Sequence, residues 1–149
     1  MTSLRSQVYA TALADSTLLA LLGGGAASLL GADATPLPAH RPGTPFLYLE
    51  FDAEVDSLAP NVVDGLFRWR GYDDPQASYA RLRSALGRVL RLYPADPDGV
   101  LRDTTTGEVI VWTGHGLLGP ETVDVGGGIS AGLNQQWVTF PYRKGHIGF

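Results

Sequence analysis

The sequence predicts an α+β fold: a single domain over residues 1–149 with a mixed, mostly antiparallel β-sheet, an N-terminal helix and one main amphipathic helix at about 75–92. Three observations predict it. A Leu-rich segment from Thr2 to Leu22 stops at Gly23-Gly24-Gly25. Apolar runs of strand length at Phe46 to Phe51 and Leu66 to Arg70 come before Tyr72-Asp73-Asp74-Pro75, which opens a helical pattern. β-rich sequence then runs to the end.

The N-terminal segment reads as helix in two pieces. Leu4, Val8 and Ala12 set the apolar spacing of the first. Asp15-Ser16-Thr17 can cap the second, Leu18 to Leu22, because Asp and Ser oxygens accept the unpaired amides of a new helical turn. The glycine triplet supplies its end. The Pro-rich loop at 31–45 holds Pro36, Pro38, Pro42 and Pro45. Proline removes donors and fixes φ, so this is an extended loop or arm, of a length that is usually functional or mobile.

Phe46 to Phe51 is nearly all apolar and reads as a central strand buried on both faces. In Leu66 to Arg70, Leu66, Arg68 and Arg70 point one way and Phe67 and Trp69 the other, the mark of a half-buried strand. Asp74 suits an N-cap and Pro75 the first helical position. At 100° per residue, Tyr79, Leu82, Leu86, Val89, Leu90 and Tyr93 fall within an arc of about 100°. Arg81, Arg88 and Arg91 lie opposite, with Arg83 beside the stripe, and Pro94 ends the helix. The helix is therefore expected to lay one stripe on the sheet, over Phe67 and Trp69, and to show its arginines to solvent or to a neighbour. Val100 to Thr105 and Glu108 to Thr113 read as a hairpin around Thr106-Gly107. A Gly-rich loop at 114–132 centres on Gly126-Gly127-Gly128, Gln136 to Phe140 is the last strand, and Tyr142 to Phe149 is a short tail.

Composition excludes several function classes. The 149 residues suit one domain. With no cysteine, there is no disulfide framework, thiolate metal site or thiol nucleophile. A net charge of −4 argues against coating nucleic acid, which needs dense Lys/Arg contacts to phosphate. Lys144 is the sole lysine, so lysine chemistry has one candidate. No apolar run approaches the ~20 residues of a membrane span, so no membrane partner is expected. Met1 to Arg5 leads into an amphipathic segment rather than a secretory signal, which predicts synthesis in the cytoplasm.

No cluster announces chemistry. Asp52, Glu54 and Asp56 alternate and would share one face if the strand continued, an arrangement that could hold a divalent cation in a small hydrolase. The bland reading is a solvated strand end. His40, His115 and His146 lack metal-pair spacing, and no serine sits in a Gly-x-Ser-x-Gly elbow. Neither glycine triplet is followed by the Lys-Ser/Thr of a phosphate loop. Arg81, Arg88 and Arg91 lack the interleaved aromatics of a nucleic-acid patch, so a solvated or inter-subunit face fits them better. Tyr142-Arg143-Lys144-Gly145-His146 is the one local basic cluster, suited to docking on an acidic partner or to a plain terminus. No catalytic, metal or cofactor-binding residue is assigned.

The order of elements nevertheless resembles a family. Val8 to Leu22 resembles the "ALxADxxLxxLL" opening helix of the tail terminator, or tail completion, proteins of long-tailed bacteriophages. Pro45-Phe46-Leu47-Tyr48-Leu49-Glu50 resembles their "PFxxxE" first strand, Tyr72 to Tyr93 their main helix, and Trp137-Val138-Thr139-Phe140 their closing strand. The long Gly-rich insertion and the Pro loop depart from the pattern, which leaves a neighbouring neck ring, such as a head completion or stopper protein, as the alternative. The resemblance implies a non-enzymatic virion protein and a homo-hexameric ring at the head–tail junction. That ring would cap the tail tube protein, end its polymerisation, receive the head connector and let DNA pass without sequence-specific contact. Contacts with partners are expected at His40 and Arg41 in the Pro loop, at Gly126, and at Tyr142, Arg143 and Lys144. The competing classes are the metal-dependent hydrolase and a monomeric binding module.

Overall fold

The computed structural model describes residues 4–31, 44–57, 61–93, 100–102, 107–125 and 132–146. Two short helices open the chain, α1 (Leu4–Leu13) and α2 (Ser16–Leu22), followed by a 3-10 turn at Gly25–Ser28. The break between them falls where the sequence places it. The Asp15 carboxylate caps α2 by accepting from the Leu18 amide at 3.0 Å, and Gly23, at φ 76°, ends it in a left-handed conformation that a side chain would resist.

The strands are β1 (Leu29–Leu30), β2 (Phe46–Phe51), β3 (Val55–Asp56), β4 (Val63–Asp73), β5 (Val100–Arg102), β6 (Glu108–Trp112), β7 (Leu117–Leu118), β8 (Thr122–Val123) and β9 (Asn134–His146), with α3 (Ala80–Leu92) between β4 and β5. The sheet order is β1-β2-β4-β9-β6-β5. Only β1 and β2 pair in parallel. The fold class is thus α+β with a mixed, mostly antiparallel sheet, as the sequence predicts.

The backbone of this sheet is the antiparallel pair β4 and β9, matched without a break from Val63↔Lys144 to Asp73↔Asn134. The other edge of β9 is followed in succession by β6, β7 and β8. Bonds from Thr113 N to Pro141 O and from Gly119 N to Trp137 O keep the chain on that edge between them. Residues 108–125 therefore act as one interrupted strand. The segment expected to be a Gly-rich loop from Gly114 is partly sheet edge.

The expected tail is a second correction. Tyr142, Arg143 and Lys144 lie inside β9, and Tyr142 is only 2% exposed. The proline at position 141 hides this continuation. Its carbonyl accepts from Thr113, so its missing N–H points to the same side, where the partner strand breaks between β6 and β7. No ladder bond is lost there.

Two boundaries also shift. α3 begins at Ala80, not Pro75. Asp74 instead builds a turn, its side chain accepting from Gln76 N at 2.8 Å and its carbonyl from Ala77 N at 2.9 Å. The Asn134 amide donates to the carbonyls of both Asp74 and Ala77 and so diverts them from a helical ladder. β2 is not central, having only two-residue β1 on its outer side. β4 runs on through Gly71 to Asp73, where a Cβ would stand 2.6 Å from Leu82 Cδ1. The bare glycine lets α3 approach the sheet.

One face of the sheet carries the core. Leu47 and Leu49, Phe67 and Trp69, Val138, Phe140 and Tyr142, and Ile110 and Trp112 meet Val8, Ala12, Leu18 and Leu22 from α1 and α2 and Leu82, Ala85, Leu86 and Val89 from α3. Phe67 stacks on Phe140 at 4.9 Å between ring centroids. The buried Tyr93 hydroxyl ties three elements together. It accepts from Trp69 Nε1 at 3.2 Å and donates to the Val8 carbonyl at 2.6 Å. Burial raises the Tyr93 pKa well above the usual phenol range, so it stays a donor at any working pH.

A second tie is ionic. Arg88 of α3 grips the Asp15 carboxylate with Nε at 2.8 Å and a terminal nitrogen at 2.7 Å, while that carboxylate caps α2. The hydrogen bonds from Arg88 hold the Asp15 pKa below its ordinary value.

Two predictions follow from these ties. Tyr93→Phe leaves the Trp69 N–H without its acceptor and should cost about 1–3 kcal/mol of unfolding free energy in a denaturant titration; an unchanged midpoint would show the relay to be dispensable. Asp15→Asn keeps a capping oxygen but loses the charge. Because the folded pKa of Asp15 is depressed, its stabilisation is present above the ordinary value of 3.8 and is lost as pH falls through the lower folded value. The stability gap between parent and variant should therefore be widest near neutrality and close on acidification.

Candidate interaction surface

The face of the sheet turned away from the helices follows from the same alternation. Cross-strand register puts Tyr48, Arg70 and Trp137 in one row, Glu50, Arg68, Thr139 and Leu117 in the next, then Leu66 with Pro141, and then Asp64 with Arg143. Among the described residues no helix covers these rows. Tyr72, Phe46 and Leu133 form a small apolar cluster at one end, with Leu30 and Tyr48 against it.

Charges on this face are arranged as a ladder. Arg70 reaches Glu50 at 3.1 Å, Arg68 pairs with Asp52, and Arg143 pairs with Asp64 at 2.9 Å through Nε. The Arg70 guanidinium also lies over the Trp137 ring, 5.6 Å from its centroid. The pairs are part-exposed, so each is a weak contributor to stability. Their effect is to hold arginine and tryptophan side chains in one geometry on an open surface.

A hollow of ≈ 450 Å³ opens on this face, lined by Ala53, Val55, Leu66, Thr113, Pro141 and Arg143 among others. Val55 is 62% exposed and Leu66 37%. Leu117, 71% exposed, follows Pro141 by one register step on the same face. Leu118, Val123 and Val125 continue the apolar character along β7 and β8, whose outer edge meets no strand among the described residues. A smaller hollow of ≈ 180 Å³ on the helix side brings Arg5 and Lys144 together with Glu54 and Glu108. Its cations and carboxylates are equal in number, so it presents no net charge to a ligand.

The expected contact residues scatter. His40, Arg41 and Gly126 lie outside the described residues. Tyr142 is core, with burial raising its pKa to about 12. Arg143 is half-exposed on the open face, and Lys144 lies on the helix side, paired with Glu54 at 2.9 Å. The alternating carboxylates do not converge. Asp52 pairs with Arg68, Glu54 with Lys144, and Asp56 is exposed in β3. No group of three His, Asp or Glu suited to a metal occurs among the described residues. The α3 arginines are not free either: Arg81 binds the fully buried Asp73 at 2.6 Å, Arg88 binds Asp15, and Arg83 pairs with Glu121. Arg91 is exposed.

Sequence reasoning missed the surface made by Leu66, Trp137, Pro141 and Leu117. The strand alternation placed Leu66, Arg68 and Arg70 together, but the rows across strands need the register. No protein-family model matches the chain, and no curated protein matches it.

With Asp52 and Glu54 tied to separate cations and Asp56 not converging on them, Mg²⁺ or Mn²⁺ should leave the thermal midpoint unchanged. A metal-dependent rise in Tm that disappears in the Asp52→Ala, Glu54→Ala, Asp56→Ala triple variant would restore the hydrolase reading.

Proposed function

We propose that this chain is a structural subunit of the head–tail junction of a long-tailed bacteriophage. It forms a homo-hexameric ring that caps the tail tube, ends its polymerisation and lets DNA through the lumen, with the tail tube protein on one side and the head connector on the other. The observation that carries this reading is the one-sided sheet. Helices occupy one face, while the other presents Tyr48, Trp137, Arg68 and Arg70 beside an apolar hollow. Tryptophan, tyrosine and arginine are the side chains that supply most of the binding energy at protein interfaces. The resemblance of the opening helix, the first strand and the closing strand to the tail terminators adds the place of assembly. A net charge of −4 suits DNA that slides past without being held.

The purified protein should give a hexamer in native mass spectrometry and rings with a central hole in negative stain. It should also stop elongation of tubes assembled from a tail tube protein. A protein that stays monomeric at every concentration, and alongside tail tubes, would overturn the reading.

A further inference from the structure

Helix α3 begins at a poor start with a good one just upstream. Its first residue is Ala80, and Tyr79 at the cap position gives no side-chain bond to the opening turn. Asp74 already accepts from Gln76 N at 2.8 Å, the bond an N-cap makes to the second helical residue, and Pro75 suits the first. Ala77 N donates to Asp74 O at 2.9 Å, so an initial turn is wound. It then fails to run into α3.

One side chain stops it. The Asn134 amide donates to Asp74 O at 3.2 Å and to Ala77 O at 2.8 Å. In an unbroken helix these two carbonyls accept from Ser78 N and Arg81 N, each four residues on. Asn134 commits both amide hydrogens to them and stands as a wedge in the ladder. A segment whose own sequence favours one state while a distant partner imposes another is where two states lie close in energy. We propose that residues 75–79 are a two-state switch. With Asn134 in place they form the wedged turn; when it withdraws they join α3, which then begins at Pro75 under the Asp74 cap.

The exchange of bonds is nearly even. Two bonds from Asn134 are given up, two helical bonds replace them, and the cap is kept. The obstacle is Asn134 itself, which is 6% exposed. Its amide, left there without acceptors, would cost more than the helix gains. The wedge therefore leaves only with the strands that carry it. Asn134 opens β9 opposite Val123 of β8, and bonds from Asp124 N to Leu133 O and from Gly132 N to Asp124 O close the two strands on each other. Tyr79, inside the switch, holds the same place from the other side by donating its hydroxyl to Thr122 O. Displacement of β8 is thus coupled to growth of α3. Nothing in this coupling depends on the ring reading, and its failure leaves that reading untouched.

NMR relaxation dispersion and saturation transfer on the parent protein test the switch. Exchange on the μs–ms scale is expected at residues 76–79, with a minor state of roughly 0.1–10% whose Cα shifts are helical, and matching exchange at Thr122 and Val123. Tyr79→Phe removes the tie to β8 and should raise that population about fivefold. Ala77→Gly weakens the helical state and should lower it about fivefold. Asn134→Leu keeps the volume and removes both donors. Its shifts over 75–79 should be helical throughout, and its Ser78 and Tyr79 amides should exchange about tenfold more slowly than in the parent. Flat profiles at residues 76–79 of the parent overturn the inference whatever the variants do, so the test stands even if Asn134→Leu fails to fold. A folded Asn134→Leu chain that keeps the turn overturns it as well. Exchange at 76–79 with none at Thr122 and Val123 overturns the coupling to β8.

Discussion

The register of β4 on β9 is the constraint on which the rest of this protein depends. Side chains alternate across a strand, so a slip of one residue in either strand would move Phe67, Trp69, Val138, Phe140 and Tyr142 out of the core together. The same slip would bury Arg68, Arg70 and Arg143. The long unbroken pairing makes this costly, and the aromatic cluster around Phe67 and Tyr93 makes it specific. Everything on the open face is placed by the same register. Core and candidate interface are two sides of a single decision.

Polar groups inside the structure join its elements. Asp73 is fully buried, a state tolerable for a carboxylate only with a charged partner, and Arg81 supplies two bonds to it. This pins the start of α3 to the end of β4. Asp15 and Arg88 pin the middle of α3 to α2, and Tyr93 pins its end to α1 and β4. α3 is thus tied at its start, middle and end. Arg81 and Arg88, which read from sequence as part of a solvent or inter-subunit face, are fasteners of the helical layer.

A rigid helical layer on one side leaves the other side of the sheet to act as a surface. The ion-pair ladder runs alongside the hollow, and Arg143 with Asp64 and Asp52 forms part of its wall beside Leu66, Val55 and Pro141. An interface core with a polar rim has this composition. The β7 and β8 segment carries further exposed apolar side chains on a backbone held by β9. The one-sided sheet is the feature that underlies the proposed reading as a ring subunit.

Local chemistry was legible in the sequence. The helix break at Asp15, the glycine end of α2, the alternation of Leu66 to Arg70, the hairpin of β5 and β6 and the stripe of α3 all follow from contacts within a few residues, which propensity and periodicity record. What the tertiary structure decided depends on partners distant in sequence. Asn134 reaches across sixty positions to take the Asp74 carbonyl and delays α3. Pro141 reads as a strand end until the break opposite it is known. The carboxylates at 52–56 read as a possible metal face until Arg68 and Lys144 claim two of them. The hollow between Leu66 and Pro141 has no linear signature at all, because its walls come from β3, β4 and β9 and from residues just past β2 and β6, and only the register brings them together.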